Sequence, residues 1–158
     1  RHVLRLMMEL LAFRPTGKGT RLSAGLEYAL RILHHRAVVF LVSDFLTDSS
    51  VDPEFRHAAR RLRRDHDLVP IRLTDLGGER LPDVGLLALV DPETGQRHVV
   101  DTSSSDVRDA YAEQKEAHRT QLTSFFRELR LDIIEVGTED DYVPALISFF
   151  RRRERLPR

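Results

Sequence analysis

The apolar run Ala37 to Val42, with the sequence AVVFLV, decides the fold, and it ends at Ser43 and Asp44. It has the length of a strand and is rich in valine. An unbroken apolar run of this kind is typical of a parallel strand that is covered on both faces. We therefore predict a strand over 37–43, which in the parent fold would be paired along both edges at the centre of a parallel sheet.

Apolar residues recur at helical spacing on both sides of this strand. The pattern predicts a first helix that ends near Phe13, because Pro15 disfavours helical geometry in the residue before it. A second helix is predicted to follow Thr20, whose hydroxyl stands where an N-cap would accept a backbone N–H. A third begins with Asp52 as N-cap and Pro53 at the first helical position.

The same reading continues to the end of the chain. Two further parallel strands are predicted over 68–73 and 131–136, although Pro70 removes one ladder donor from the first of them. A β-hairpin is predicted over 86–100, at the periphery of the sheet. One long helix is predicted over 104–130, and a last helix carries Val143, Leu146, Ile147 and Phe150. Strands that alternate with helices predict right-handed crossovers.

The composition limits the class of protein. The chain has 158 residues, which fits one domain, and its 25 basic side chains are balanced by 25 acidic ones. We therefore expect neither nucleic-acid binding nor membrane contact through a global electrostatic field. No apolar run approaches the roughly 20 residues that span a bilayer. The chain has no cysteine, which excludes disulfides and thiolate sites and is compatible with the cytoplasm, where we expect the protein.

The first residues, Arg1 to Leu4, already belong to an apolar pattern and include no initiator methionine. Three parallel strands accompany five helices, so we expect that N-terminal strands of the sheet are missing from this chain. An open edge beside strand 37–43 would be a site for association. We therefore expect the chain to self-associate near this strand, with Met7, Met8 and Phe40 taking part.

Asp44 is the best candidate for a functional residue, together with its neighbour Ser43. In open α/β sheets, ligands bind beyond the carboxyl ends of the strands, and these residues directly follow the most apolar strand. The alternative is that the Asp44 carboxylate caps the following loop. The sequence favours the two interpretations equally. Thr20 has the same two interpretations, and for Thr20 the helix cap is favoured.

The sequence does not support other kinds of chemical site, because the residues or the spacing that they require are missing. Gly17-Lys18 does not form a phosphate-binding loop, because Ala12 and Gly19 replace required residues. The seven histidines show no zinc-ligand spacing. No Gly-x-Ser-x-Gly motif accompanies Ser43, which argues against a serine hydrolase. The arginines at 60–64 and those of the basic tail 151–158 are interpreted as solvated.

Five segments, in this order along the chain, resemble the bacterial family catalogued as domain of unknown function 58. They are 15–22 (PTGKGTRL), 38–45 (VVFLVSDF), 64–67 (RDHD), 81–85 (LPDVG) and 91–95 (DPETG). The family is similar to von Willebrand factor A domains, which are Rossmann-like. The resemblance implies that residues 1–150 are the C-terminal part of one such domain, with a parallel sheet and flanking helices.

The resemblance also implies a site. In von Willebrand factor A domains, a metal-ion-dependent adhesion site combines an Asp-x-Ser-x-Ser motif, a loop threonine and an aspartate after a later strand. Thr20 matches the threonine and Asp44 matches the aspartate, whereas the Asp-x-Ser-x-Ser motif matches nothing in this chain. Because Mg²⁺ prefers about six oxygen ligands, the implied site is incomplete here, and Mg²⁺ is an expectation for the intact protein only.

The function that the resemblance implies is that of a binding module. It would serve as an adaptor or co-chaperone of a MoxR-type AAA+ ATPase, with Thr20, Ser43 and Asp44 at the contact and with no catalytic residue. The alternative is a Mg²⁺-dependent phosphotransferase or hydrolase that uses Asp44. That reaction needs several converging charges, and the sequence shows no second acidic cluster.

Overall fold

The computed structural model describes residues 2–14, 20–46, 53–75, 78, 80–90 and 95–154. The predicted loop 15–19, the Asp52 cap and the hairpin turn at 91–94 lie outside these residues. The elements, in chain order, are α1 (His2–Ala12), α2 (Leu22–Ile32), β1 (Val38–Ser43), α3 (Pro53–Asp65), β2 (Asp67–Thr74), β3 (Leu86–Val90), β4 (Arg97–Asp101), α4 (Ser105–Glu128), β5 (Ile134–Gly137) and α5 (Tyr142–Glu154).

A three-stranded parallel sheet with the order β1-β2-β5 organises the chain. The mixed α/β class and the parallel sheet with flanking helices are therefore confirmed. Within the described residues, β1 is an edge strand and β2 lies in the middle, so one edge of β1 is open, as expected for this chain. The central place of strand 37–43 was predicted for a sheet with further strands and stays a prediction. Pro70 is tolerated there because β5 pairs only with the stretch Ile71 to Thr74, beyond the proline.

One face of the sheet, here called the covered face, carries the main core. Val39 and Leu41 of β1 and Leu68 of β2 pack against buried side chains of α2, α3 and α4. Four phenylalanines with no exposed surface form the centre of this core: Phe45, Phe55, Phe125 and Phe126. Their ring centroids lie 5.0 to 6.4 Å apart in tilted or edge-to-face contacts, which favours their packing beyond simple burial.

The opposite face, here called the open face, is covered only in part. Phe149 of α5 is buried against Val69 of β2 and Ile134 of β5. On β1, by contrast, the side chains of Val38, Phe40 and Val42 remain exposed. The strand therefore alternates between half-buried and exposed residues, and the prediction that both of its faces are covered is wrong.

Strand β5 starts later than the predicted 131–136, and the end of α4 explains why. The Leu131 N–H donates to the Phe126 carbonyl at 2.9 Å, and the Arg130 N–H donates to the Arg127 carbonyl at 2.8 Å. Arg130 has a positive φ of 50°. These features define a Schellman motif, so Leu131 belongs to the helix terminus and cannot begin the strand.

The predicted β-hairpin is confirmed as the antiparallel pair β3 and β4, which forms a separate two-stranded sheet. Thr102, which is fully buried, closes its base. Its hydroxyl donates to the Gly85 carbonyl at 2.7 Å and accepts from the Val84 N–H at 3.2 Å. The Asp101 carboxylate accepts bonds from the hydroxyl and the N–H of Ser103, which lowers the pKa of Asp101 below its ordinary value.

The helices agree with the predicted pattern except at one cap. α1 ends at Ala12, α3 begins at Pro53, and α4 is a single helix of 24 residues. α2, however, begins at Leu22 with Arg21 at its N-cap, and the Arg21 side chain makes no cap hydrogen bond. Thr20 lies one residue before Arg21, so the N-cap position that was predicted for Thr20 belongs to Arg21. Among the described residues, no helix is both long and apolar enough to cross a membrane.

Candidate functional site

A cavity of about 890 Å³ lies at the carboxyl ends of the three parallel strands. Thr20, Ser43 and Asp44, the three residues that the sequence singled out, all line it. Thr74 at the end of β2, Asp75 directly after it and Thr138 directly after β5 also line the cavity. The middle of α4 forms one side of it, with Ala112, Glu113, Lys115, Glu116 and Arg119. The parallel arrangement produces this site, because strand ends that are distant in sequence meet at one edge of the sheet.

Ser43 and Asp44 also shape the loop that follows β1. The Ser43 hydroxyl accepts the Phe45 N–H at 3.0 Å, and the Asp44 Oδ1 accepts the Leu46 N–H at 3.2 Å. The cap interpretation of Asp44 therefore describes a real hydrogen bond. Asp44 is nevertheless exposed and lines the cavity, so one carboxylate supports the loop and faces the site.

Phe45, the next residue, anchors this loop to the core. It has a positive φ of 55°, although its ring is fully buried and stacks edge to face with Phe126 at 5.5 Å. Its carbonyl lies 2.6 Å from the His118 Nε2 of α4. A bulky residue with positive φ is strained and persists only where its surroundings hold it. Two contacts from α4 therefore fix the position from which Asp44 faces the cavity.

A row of polar side chains crosses the sheet at its carboxyl end. In the strand register, Ser43 lies beside Arg72 of β2, and Arg72 lies beside Glu135 of β5. The Glu135 carboxylate accepts from Arg72 at 3.2 Å and from Arg119 of α4 at 3.1 Å. The Arg72 side chain is only 7% exposed. Glu135 therefore neutralises a nearly buried guanidinium and ties α4 to the floor of the cavity.

The charges around the cavity are mixed. Its acidic lining residues are Asp44, Asp75, Glu113 and Glu116, and its basic lining residues are Arg72, Arg80, Lys115 and Arg119. Tyr111 holds the rim together, because its hydroxyl donates to the Gly78 carbonyl at 2.8 Å and its ring lies 5.3 Å from the Lys115 ammonium. Such a lining offers hydrogen-bond donors and acceptors with both positive and negative charges. It favours a polar ligand or a protein segment over a purely anionic ligand.

The side chains present do not form a magnesium site of the expected kind. Thr20, Ser43 and Asp44 supply one carboxylate and two hydroxyls, whereas Mg²⁺ prefers about six oxygens in a near-octahedral shell. In the part of the chain that the structure describes, no group of three or more histidine or acidic side chains is placed to hold a metal ion. The donor set of the described residues alone therefore does not fit a resident Mg²⁺.

Sequence reasoning missed His118, Arg72, Arg119 and Glu135. His118 contacts Phe45 across 73 residues, Glu135 contacts Arg72 across 63 residues, and Arg119 is an exposed residue of α4, so no local pattern reveals these contacts. Arg72 did give a signal, because it is a charged residue inside the apolar segment of β2. A buried charge must be paired, and a search for its partner on the neighbouring strand would have led to Glu135.

The fold and the cavity define an α/β domain whose candidate site lies at the carboxyl ends of a parallel sheet. The chain belongs to the family described as protein of unknown function DUF58, whose model matches residues 1–121. This match confirms the resemblance that the five sequence segments indicated. No solved structure matches the chain.

The chain is also similar to mycobacterial proteins. It is 26% identical over 141 residues to the uncharacterized protein MAV169 of Mycobacterium avium, and the match covers 89% of this chain and 80% of that protein. It is 28% identical over 143 residues to the uncharacterized protein Rv1480 of Mycobacterium tuberculosis and to Mb1516 of Mycobacterium bovis. The match covers 89% of this chain and 43% of each of these two proteins, so the chain spans less than half of their length.

Proposed function

We propose that this chain is a protein-interaction module, not an enzyme, and that its partner contacts the cavity at the carboxyl ends of β1, β2 and β5. The observation that carries the proposal is the loop of Ser43, Asp44 and Phe45. Phe45 is held in a strained conformation by α4, and Asp44 is thereby presented on the cavity wall. A preorganised surface of this kind lowers the cost of ordering a contact on binding.

The charges of the cavity support a protein partner. Glu135 already engages Arg72 and Arg119, and the Glu116 carboxylate lies 3.9 Å from Arg119, so two carboxylates match the two arginines at the floor of the cavity. Asp44 is exposed, and the one side-chain bond described for it is the loop bond to Leu46. The remaining acceptor capacity of Asp44 suits a donor or a basic side chain on a partner surface. Complementary charges of this kind contribute mainly to specificity and to the rate of encounter.

The finer assignment follows the family resemblance. We propose a von Willebrand factor A-like domain whose partner is a MoxR-type AAA+ ATPase, with this chain as adaptor or co-chaperone in the cytoplasm. Thr20 and Ser43 would join Asp44 at the contact, because all three line the same cavity. In an intact protein that supplies further ligands, Thr20 and Asp44 are the residues that would contribute to a Mg²⁺ site.

Substitutions at Asp44 test this function. Asp44→Asn removes the charge but retains an oxygen that can accept the Leu46 N–H, so the loop should persist. We expect Asp44→Asn and Asp44→Ala each to weaken binding of the ATPase by about tenfold or more, which corresponds to about 1.4 kcal/mol. The measurement is isothermal titration calorimetry with the purified ATPase, accompanied by thermal unfolding of each variant.

Glu27→Ala is the matched control, because Glu27 is an exposed carboxylate on α2 and does not line this cavity. It should leave binding unchanged. If Asp44→Ala lowers the unfolding temperature strongly while binding persists, Asp44 is a structural cap and the proposed contact is wrong. If the parent chain does not bind the ATPase at all, the proposed partner is wrong.

A further inference from the structure

Helix α1 carries apolar surface that its own chain does not bury. None of its residues is buried, and its large apolar side chains, together with Phe13 just beyond it, are 44 to 86% exposed. They occupy more than half of the helix circumference, which is wider than the roughly 100° stripe of an ordinary surface helix. Side chains of this kind are Val3, Leu4, Leu6, Met7, Met8, Leu10, Leu11 and Phe13.

The open face of the sheet carries a second apolar surface. Val38, Phe40 and Val42 of β1 are 46 to 54% exposed, and next to them Phe150 of α5 stacks edge to face on Phe40 at 6.3 Å. Ile147 of α5 is also exposed. β1 is in addition an edge strand, and among the described residues only β2 pairs with it. An exposed apolar strand at a sheet edge favours association with another chain.

We propose that two copies of this chain form a symmetric dimer in which α1 of each copy packs on the open face of the other. The apolar area is of the size that an interface needs. The eight side chains named above and the five of the open face are 41 to 86% exposed, and together they present on the order of 500–900 Å² in each copy, since full burial of one such side chain removes roughly 60–120 Å². A standard interface needs about 800 Å² on each partner. In the symmetric dimer, each copy contributes its α1 and its open face, so the same contact forms twice. No further copy can then add to these surfaces.

Charge argues for a protein surface over a lipid surface as the partner of α1. Helices that lie on membranes combine an apolar face with a polar face rich in lysine and arginine. The polar side of α1 instead carries Arg5 and Glu9, which form an ion pair at 2.8 Å. This side is close to neutral, so it offers little attraction to anionic lipid. A second copy supplies the apolar sheet face that α1 lacks.

Sedimentation velocity of the 158-residue chain at micromolar concentration is the first test. We expect the parent chain to sediment as a dimer. Met7→Lys with Leu11→Lys on α1, or Val42→Lys on β1, should each shift the dissociation constant by at least 100-fold and produce a monomer. All three residues are more than half exposed, so these changes should leave the fold intact, which circular dichroism checks.

Val99→Lys is the matched control, because Val99 is 69% exposed on the separate hairpin. It should leave the dimer unchanged. A parent chain that remains monomeric up to tens of micromolar would overturn the proposal. So would dissociation by Val99→Lys to the same extent as by Val42→Lys, because association would then be non-specific.

Disulfide trapping distinguishes a second copy from folding back of α1 onto its own chain. Because the chain has no cysteine, Met7→Cys combined with Val42→Cys introduces the only two thiols. After mild oxidation, we expect a species of dimer mass on a non-reducing gel, and none from the control pair Val99→Cys with Val42→Cys. A cross-linked species of monomer mass would show that α1 packs on its own sheet, and the exchange would be wrong.

Discussion

The two faces of the parallel sheet use the same strand differently. On the covered face, Val39 and Leu41 of β1 pack under three helices and beside four fully buried phenylalanines. On the open face, Val38, Phe40 and Val42 alternate with them along the strand but remain about half exposed. An unbroken apolar run therefore does not reveal which of its faces is packed within the chain. It shows only that both faces are suited to packing.

The two faces of the sheet contribute to different properties, the covered face to stability and the open face to interaction. The covered face leads directly into the cavity, because Phe45, which ends the aromatic cluster, follows Asp44. Its packing therefore positions the candidate site. The open face has apolar surface that is still exposed, and its burial would contribute to association in place of folding. Substitutions on the covered face should therefore lower the free energy of unfolding, whereas substitutions on the open face should weaken association.

The largest effect is expected from Phe126→Ala. Phe126 has no exposed surface and lies 5.5 Å from Phe45 and 6.4 Å from Phe55, so its removal leaves a cavity in the main core. We expect the free energy of unfolding to fall by about 3–5 kcal/mol. The equivalent change on the open face, Phe40→Ala, should cost less than about 1.5 kcal/mol, because half of that ring is already in water.

Urea unfolding of both variants measures this difference. The protein concentration should lie below the dissociation constant of any dimer, since association would add to the apparent stability. Equal losses for Phe126→Ala and Phe40→Ala would contradict the distinction between the faces. A loss of ATPase binding by Phe126→Ala at temperatures where it remains folded would support the role of the core in holding the Asp44 loop.

A smaller effect is expected at the polar end of the covered face, from Glu135→Gln. This change removes the charge that neutralises Arg72, whose side chain is 7% exposed, and we expect a loss of about 1–3 kcal/mol. Glu128→Gln is the matched control. Glu128 pairs with Arg56 at 3.2 Å, but both side chains are more exposed, so its loss should cost about 1 kcal/mol or less.

Chemical denaturation at low and at high salt separates these two pairs. Salt should reduce the contribution of the Arg56 pair more than that of the Arg72 pair, because burial limits screening. If the two substitutions cost the same, the row of Ser43, Arg72 and Glu135 is not a buried electrostatic element. The interpretation of the cavity floor would then need revision.

Local patterns predicted the elements of the fold better than their relations. The run 37–43, the proline at 53 and the helical stripe before 130 correctly predicted β1, α3 and α4. The order of the strands was not predicted, because pairing depends on distant residues and an edge strand can have the composition of a central one. The late start of β5 was missed because Leu131 bonds to α4, a competition that hydrophobic periodicity does not represent.

The candidate site was predicted in part for a related reason. Ser43 and Asp44 follow a recognisable strand, so the rule for parallel sheets placed them at the edge where the cavity lies. Thr20 lines the same cavity, although the N-cap position predicted for it belongs to Arg21. The contribution of α4 was not foreseen. His118 reaches the Phe45 carbonyl across 73 residues, and only the folded chain brings these groups together.

The smallest effect concerns the end of α4, where the covered face carries strain. Arg130 has a φ of 50°, and the left-handed conformation costs an L-residue with a Cβ roughly 1–2 kcal/mol. Glycine adopts it freely, but it also loses more conformational freedom on folding. We therefore expect Arg130→Gly to raise the free energy of unfolding by about 0.5–1 kcal/mol. Arg130→Ala, which retains the Cβ, is the control and should bring no such gain. Thermal unfolding of the two variants measures the difference directly. A loss of stability on Arg130→Gly would show that the arginine side chain contributes more to this helix end than its backbone strain costs.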